Sequence, residues 1–250
     1  MTTTVAVAGA RGKMGRLVTG IIDGLDGFEV VAALGSESPL EELEGADLVV
    51  DVTSPAASPA IVEHAVAHGA NVLVGTSGWS SARLAELRAR LSGSGRGVVV
   101  IPNFSLGSVV ATSLSAVASR FFDSIEIVEA HRSSKVDSPS GTAVRTAELM
   151  AAARADAGPV EAPHVDQRAR GQQIASIPVH SIRVRGVVAR QDVLFGGEGE
   201  TLTISHETIE PSDAYDIGIR LALPAARDAK GLVVGLESLI DLGITVPGRS

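Results

Sequence analysis

Cysteine is absent from the 250-residue chain, which removes disulfides, thiolate metal sites, cluster ligation and every mechanism that begins with a thiolate nucleophile. Aromatic residues are nearly as scarce. One Trp, one Tyr and five Phe leave almost no stacking platform for bases or sugars, so Ala, Val, Leu and Ile must fill the core. Positive charge is in deficit too: 21 Lys plus Arg against 29 Asp plus Glu give a formal charge of −8, which argues against a nucleic-acid partner. No apolar run approaches the ~20 residues that span a bilayer. Met1-Thr2-Thr3-Thr4-Val5 carries no basic region leading into an apolar stretch, so no membrane partner is expected and the chain is read as cytoplasmic. What is present, 45% hydrophobic and 20% charged residues, suits one large or two smaller globular domains.

The first hundred residues repeat one alternation: a short β-branched run, a Gly or Pro break, then an amphipathic helical stretch. That is the rhythm of a parallel sheet. Strands are predicted at 4–8, 29–34, 47–52, 71–74 and 98–101, and helices at 13–23, 59–68 and 81–91. The runs are continuously apolar, as strands covered on both faces require. After Pro102 a helix at 108–122 leads to a strand at 125–129, a polar loop and a helix at 142–154. Residues 157–173, with Gly158, Pro159, Pro163 and Gly171, read as a long exposed loop. Runs at 177–184, 187–195 and 200–207 have the look of antiparallel strands, with Leu202 and Ile204 facing away from Thr203 and Ser205. A helix at 213–227 precedes an apolar tail at 232–242. The fold class is α/β: a doubly wound parallel sheet over residues 1–105, rejoined by 213–250, and a smaller α+β domain over 106–212.

Gly9, Gly12 and Gly15 lie between the first strand and the first helix, where backbone amides can approach a pyrophosphate and the helix N-terminus adds a favourable dipole. The spacing is Gly-x-x-Gly-x-x-Gly rather than Gly-x-Gly-x-x-Gly. A glycine-rich turn holding nothing is the bland alternative; the strand before and helix after favour a dinucleotide. Arg11 and Lys13 could meet phosphate oxygens or form an ordinary solvated pair. The second strand ends in Ala32-Ala33-Leu34-Gly35-Ser36-Glu37, with no acid at its end to bond a ribose hydroxyl and no dedicated Arg after it. NADPH and NADH both stay open.

The second constellation is the stretch from Glu126 to Ala143. His131 and Lys135, four apart at a strand end, offer a proton donor and a cation. Ser140-Gly141-Thr142 opens a helix whose first amides suit a carboxylate. Taken singly, His131 would be a loop residue and Ser140 a plain N-cap.

Together with Gly75-Thr76-Ser77-Gly78-Trp79, Pro102-Asn103-Phe104-Ser105-Leu106-Gly107, and Val193 to Glu200 followed by His206, these motifs make nearly the whole chain resemble the dihydrodipicolinate reductase family. The resemblance implies a Rossmann-like cofactor domain, a mixed domain that binds substrate and builds a homotetramer, and reduction of a cyclic imine dicarboxylate by NADPH or NADH. Carried over by position, Gly9, Ala10, Arg11, Gly12, Lys13 and Met14 would hold the pyrophosphate. Gly75, Thr76, Ser77, Ile101, Pro102, Asn103 and Phe104 would line the nicotinamide. His131 and Lys135 would manage protons, and Arg132, Gly141 and Thr142 would bind substrate carboxylates. Departures are Arg132 where the family has a second His, Ser134 in place of a third, Ser77 where Thr is usual, and no Arg after His206. Rival readings are a related cyclic-imine reductase and a non-catalytic dinucleotide sensor. A short-chain dehydrogenase fails, because the only tyrosine, Tyr215, has Ile219 where that chemistry needs Lys.

His64 and His68 share a helix face at i and i+4, which invites a metal. With no third ligand evident, the pair is read as a solvated face and no metal is expected. His164 and His180 receive the same bland reading. Arg183, Arg185 and Arg190 suit an interface, a substrate-side patch or a solvated strand face.

Overall fold

The structure is a computed structural model that describes residues 1–243; the last seven residues of the segment assigned to 213–250 lie outside the described residues. The chain divides into two compact units, Met1–Phe104 with the chain from Tyr215 onward, and Ser105–Ala214.

In the first unit, β1 (Thr3–Ala8), β2 (Phe28–Leu34), β3 (Leu48–Asp51), β4 (Asn71–Val74), β5 (Gly97–Val100) and β11 (Gly231–Val234) form one sheet in the order β11-β5-β4-β3-β1-β2. All its pairings are parallel. Helices α1 (Lys13–Asp23), α2 (Ser58–Ala67), α3 (Ser81–Leu91) and α6 (Pro211–Asp228) accompany it, with a short 3-10 turn at Leu40–Leu43. Chain order reverses between β1 and β3, which makes their carboxyl ends the topological switch point where α/β sheets bind ligands. Val49, Val72, Val74, Val98 and Val100 pack with Ile61, Val62 and Ala65 of α2 and Leu87 and Leu91 of α3 in one core. Asn71, at the start of β4, accepts from the Gly97 amide at 2.9 Å and donates to the carbonyls of Ala226 and Arg227 at 3.0 and 2.8 Å. That amide ties the end of α6 to the sheet. One expectation needs correcting: β2 is not covered on both faces. It is an edge strand, with Glu29 exposed and Val31 51% exposed.

The second unit is a five-stranded sheet in the order β10-β9-β6-β8-β7, built from β6 (Ser124–His131), β7 (Gln172–Ile174), β8 (Ile177–Arg183), β9 (Ala189–Gly197) and β10 (Glu200–Thr208). Helices α4 (Leu106–Ala118) and α5 (Gly141–Ala153) cover one face. The covered residues alternate as the pleat demands: Ile125, Ile127, Val179, Val193 and Phe195 meet Ala143, Ala147 and Met150. Of the three runs expected to be antiparallel strands, only β9 and β10 pair directly. β8 runs opposite to β9 but is not its neighbour, because β6 lies between them, parallel to β8 and antiparallel to β9. The connection passes the end of β6, where the Val184 amide bonds the His131 carbonyl at 3.0 Å. The exposed stretch 157–173 also ends differently, as Gln172 and Gln173 open β7.

Candidate active site

In the first unit the glycine turn sits at the switch point. Gly9 has φ +86°, the left-handed region, and a Cβ on it would lie 2.6 Å from the Val52 carbonyl oxygen at the end of β3. A Cβ on Gly15 would stand 2.1 Å from the Gly9 oxygen, so this glycine lets α1 close on the turn. Gly12 differs. It is the N-cap of α1 without a side-chain cap, is exposed, and a Cβ there would meet only the Gly9 oxygen, at 3.3 Å. Protein packing scarcely requires glycine here, and without a side chain the backbone stays open to close approach by a phosphate. The turn therefore fits a dinucleotide. Arg11 lies over the end of β2, its side chain 3.2–3.3 Å from where a Gly35 Cβ would be, while Lys13 is exposed and Ala10 and Met14 are half-buried.

At the ends of β3 and β4 a polar network was not anticipated from sequence. Asp51, fully buried, accepts from the Thr53 hydroxyl at 2.5 Å, the Thr53 amide at 3.1 Å and the Ser58 hydroxyl. The Trp79 indole donates to Ser58 at 3.0 Å. Thr76 turns inward, its hydroxyl accepting from the Thr53 amide at 2.8 Å, so Gly75 and exposed Ser77 are what this segment presents. The Phe104 ring would lie 2.7 Å from a Gly75 Cβ, which brings these two predicted positions together. Ile101 is buried and extends the β5 ladder to the Val74 carbonyl at 2.8 Å; Pro102 is exposed and Asn103 half-buried.

In the second unit, strand register sets the chemistry. His131 lies beside Arg183 and Glu129 beside Ser181 across β6 and β8. Glu129, 0% exposed, accepts from His131 Nδ1 at 2.6 Å, from both Arg183 Nη atoms at 2.9 Å and from the Ser140 amide at 3.1 Å. Burial pushes its carboxyl up, but the hydrogen bonds from His131, Arg183, Ser181 and Ser140 prevail and hold it down at about 2. An ionised carboxylate only accepts, so Nδ1 of His131 carries a proton and Nε2 is left for a ligand. Ser140 caps α5 by accepting from the Ala143 amide at 3.2 Å. Next to it, exposed Gly141 has nothing within 4 Å of a would-be Cβ, and Thr142 is half-buried.

Lys135 is not joined to His131. Its ammonium stands 2.8 Å from both carboxylate oxygens of Asp137, whose pKa that hydrogen bond lowers. Arg132 is exposed. Glu129 carries no site role in the sequence reading, and Arg183 enters it only as one of a cluster with three open readings; the available signal is that Glu129 shares a strand face with His131, two residues on. The arginine cluster does not hold together: Arg183 serves Glu129, Arg190 pairs with Asp192 at 3.0 Å, and Arg185 is exposed. His180 is bonded to Glu126 at 2.7 Å. His206 packs on Gly107, with Nε2 3.4 Å from the Ser105 hydroxyl, and burial lowers its pKa. Beside the His64 and His68 pair lies Glu44, a third possible donor that the spacing in sequence does not reveal.

A parallel sheet with an open glycine turn at its switch point, and a second unit with a carboxylate-held imidazole beside a helix N-terminus, define a dinucleotide-dependent oxidoreductase of the Rossmann class. The models of dihydrodipicolinate reductase match it in both halves, the N-terminus over residues 3–104 and the C-terminus over 107–240; the chain belongs to this family. The 4-hydroxy-tetrahydrodipicolinate reductase of Clavibacter sepedonicus is 65% identical over 243 residues, 97% of this chain and 87% of the relative. That of Streptomyces griseus is 44% identical over 245 residues, covering 95% and 98%. Among solved structures, dipicolinate-bound dihydrodipicolinate reductase from Paenisporosarcina sp. TG-14 has a TM-score of 0.80 at 28% identity, over 96% of this chain and 100% of that one. An amine dehydrogenase from Mycobacterium smegmatis, at 12% identity and a TM-score of 0.65, shares the fold alone. No described helix is long and apolar enough to cross a membrane.

Proposed function

We propose that the chain reduces 4-hydroxy-tetrahydrodipicolinate, after loss of water to dihydrodipicolinate, to tetrahydrodipicolinate in lysine and diaminopimelate biosynthesis, as a cytoplasmic homotetramer. The observation that carries this reading, beside family membership, is the Glu129–His131 pair at 2.6 Å beside the N-terminus of α5. A reduced nicotinamide dinucleotide supplies the hydride. Residues Gly9 to Met14 hold its diphosphate, and Gly75, Ser77 and the segment from Ile101 to Phe104 face its nicotinamide end. Arg11 beside Gly35, with no acid at the end of β2, supports acceptance of a 2′-phosphate, so NADPH is used as well as NADH. Hydride addition to a conjugated imine leaves electron density that must take up a proton. His131, oriented by Glu129, delivers that proton from Nε2. Gly141 and Thr142, at the positive end of α5, bind a substrate carboxylate, and Arg132 and Lys135 add cationic charge.

The test is a coupled reaction of pyruvate, aspartate semialdehyde, the synthase that condenses them, this protein and either nucleotide. Loss of reduced-nicotinamide absorbance that depends on all components is expected. Nucleotide binding without turnover would instead establish the sensor.

A further inference from the structure

The first unit carries, at the end of α2 and in the connection between β2 and β3, a cluster that the reductase chemistry does not use. Glu44 follows the 3-10 turn Leu40–Leu43, and His64 and His68 lie one turn apart at the end of α2. Glu44 Oε1 is 3.3 Å from His64 Nε2 and 3.4 Å from His68 Nε2, and one donor atom from each residue falls within 4.8 Å of the others. We infer that Glu44, His64 and His68 form a binding site for a divalent transition ion of the zinc class.

Three observations carry it. First, His68 Nδ1 is 2.8 Å from the His64 carbonyl oxygen, which can only accept. That bond puts a proton on Nδ1, so in the neutral imidazole Nε2 is the nitrogen that keeps a lone pair, the backbone-held arrangement common to metal-ligating imidazoles. Second, His64 Nε2 is buried and has no hydrogen-bond partner, despite the nearby carboxylate. A buried ring nitrogen without a hydrogen-bond partner, set against a carboxylate oxygen, leaves room for an ion held by both. Third, the spacing suits an ion. Metal–ligand bonds of roughly 2.0–2.1 Å at tetrahedral angles put ligand atoms roughly 3.3–3.4 Å apart, and the two contacts to Glu44 have that length. Imidazole and carboxylate together suit zinc, with water as the fourth ligand. The ion would clamp the connection between β2 and β3 to the end of α2, the helix whose first residue, Ser58, holds Asp51.

The experiment uses the full-length, tag-free protein stripped with EDTA, then titrated with ZnCl2 against a chromophoric chelator and with CoCl2 by visible absorption. One zinc per chain is expected, with the intense bands of low-coordinate cobalt. Glu44→Gln and His68→Ala should each weaken binding by more than about tenfold, whereas His131→Gln should leave it unchanged. At a hundredfold excess over Kd, zinc should raise Tm by roughly 5 °C in the parent chain and not in Glu44→Gln. Absence of stoichiometric binding overturns the site, as does an affinity that the Glu44 and His68 variants share with the parent. If the parent binds no zinc while its Tm rises on acidification and that of Glu44→Gln does not, the cluster is a proton-sharing ion pair and the metal assignment is overturned.

Discussion

Glu129 shows how a single side chain can be expensive to bury and still favourable in place. It is fully buried, yet His131, Arg183, Ser181 and the Ser140 amide all donate to it, and its pKa falls from 4.5 to about 2. Its contribution to stability is complete above 4.5 and is lost as pH falls toward about 2, because over that window the unfolded chain takes up the proton first. Glu129→Gln leaves Arg183 with a neutral acceptor and should cost about 3 kcal/mol at neutral pH. In urea unfolding the gap to the parent should close as pH falls through the same window. Because His131 loses the anion that fixes its tautomer, kcat should fall by roughly a hundredfold while the KM for nucleotide stays unchanged. Equal kcat in the two proteins would remove Glu129 from the mechanism. His131 and Lys135 were visible as candidates in the sequence because their chemistry is rare and their motif is dense. The pairing of Glu129 with Arg183 is not legible there, because strand parity names a face only once the partner strand is known, and Arg183 is 54 residues from Glu129.

Elements differ in how much of themselves they reveal. The strands of the first unit are short apolar runs bounded by Gly or Pro, and their parallel pairing follows from the alternation with helices. Their order, including β11 against β5, depends on contacts far apart in sequence. The same gap hides the neighbours of β8, since nothing local shows that β6 separates it from β9. The loop between β6 and α5 is the element where structure and chemistry pull apart. Lys135 is assigned to substrate, yet Asp137 holds its ammonium from two oxygens. On the proposed reading a substrate carboxylate would have to displace that partner, at a cost typical of a partly exposed ion pair. Asp137→Asn should therefore lower the KM for the dicarboxylate about twofold to fivefold, with the KM for nucleotide unmoved, as read by initial rates over both substrates. A raised KM would mean that Asp137 positions Lys135 rather than competing for it.

At the scale of the molecule, a charge of −8 disfavours long polyanions, while on the proposed reading small anions would be met locally by Arg11, Lys13, Arg132, Lys135 and helix N-termini. The second sheet raises a different question. Alternation along β6, β8 and β9 sends Ile125, Ile127, Val179, Val193 and Phe195 under α4 and α5, and by the same register sends Val128, Ile182 and Leu194 to the opposite face. There Ile182 is 46% and Leu194 42% exposed. The charges on that face are largely paired among themselves, Glu126 with His180 and Arg170, and Arg190 with Asp192. An apolar strip framed by neutralised charge suits a subunit interface better than open water. If the homotetramer uses this face, Ile182→Glu with Leu194→Glu places like charges against a copy of themselves, because symmetric association repeats each substitution across the interface. Sedimentation equilibrium should then give four chains for the parent and fewer for the double variant, with the far-ultraviolet spectrum unchanged. A four-chain mass in both would place the interface elsewhere, whereas a single-chain parent would remove the tetramer altogether.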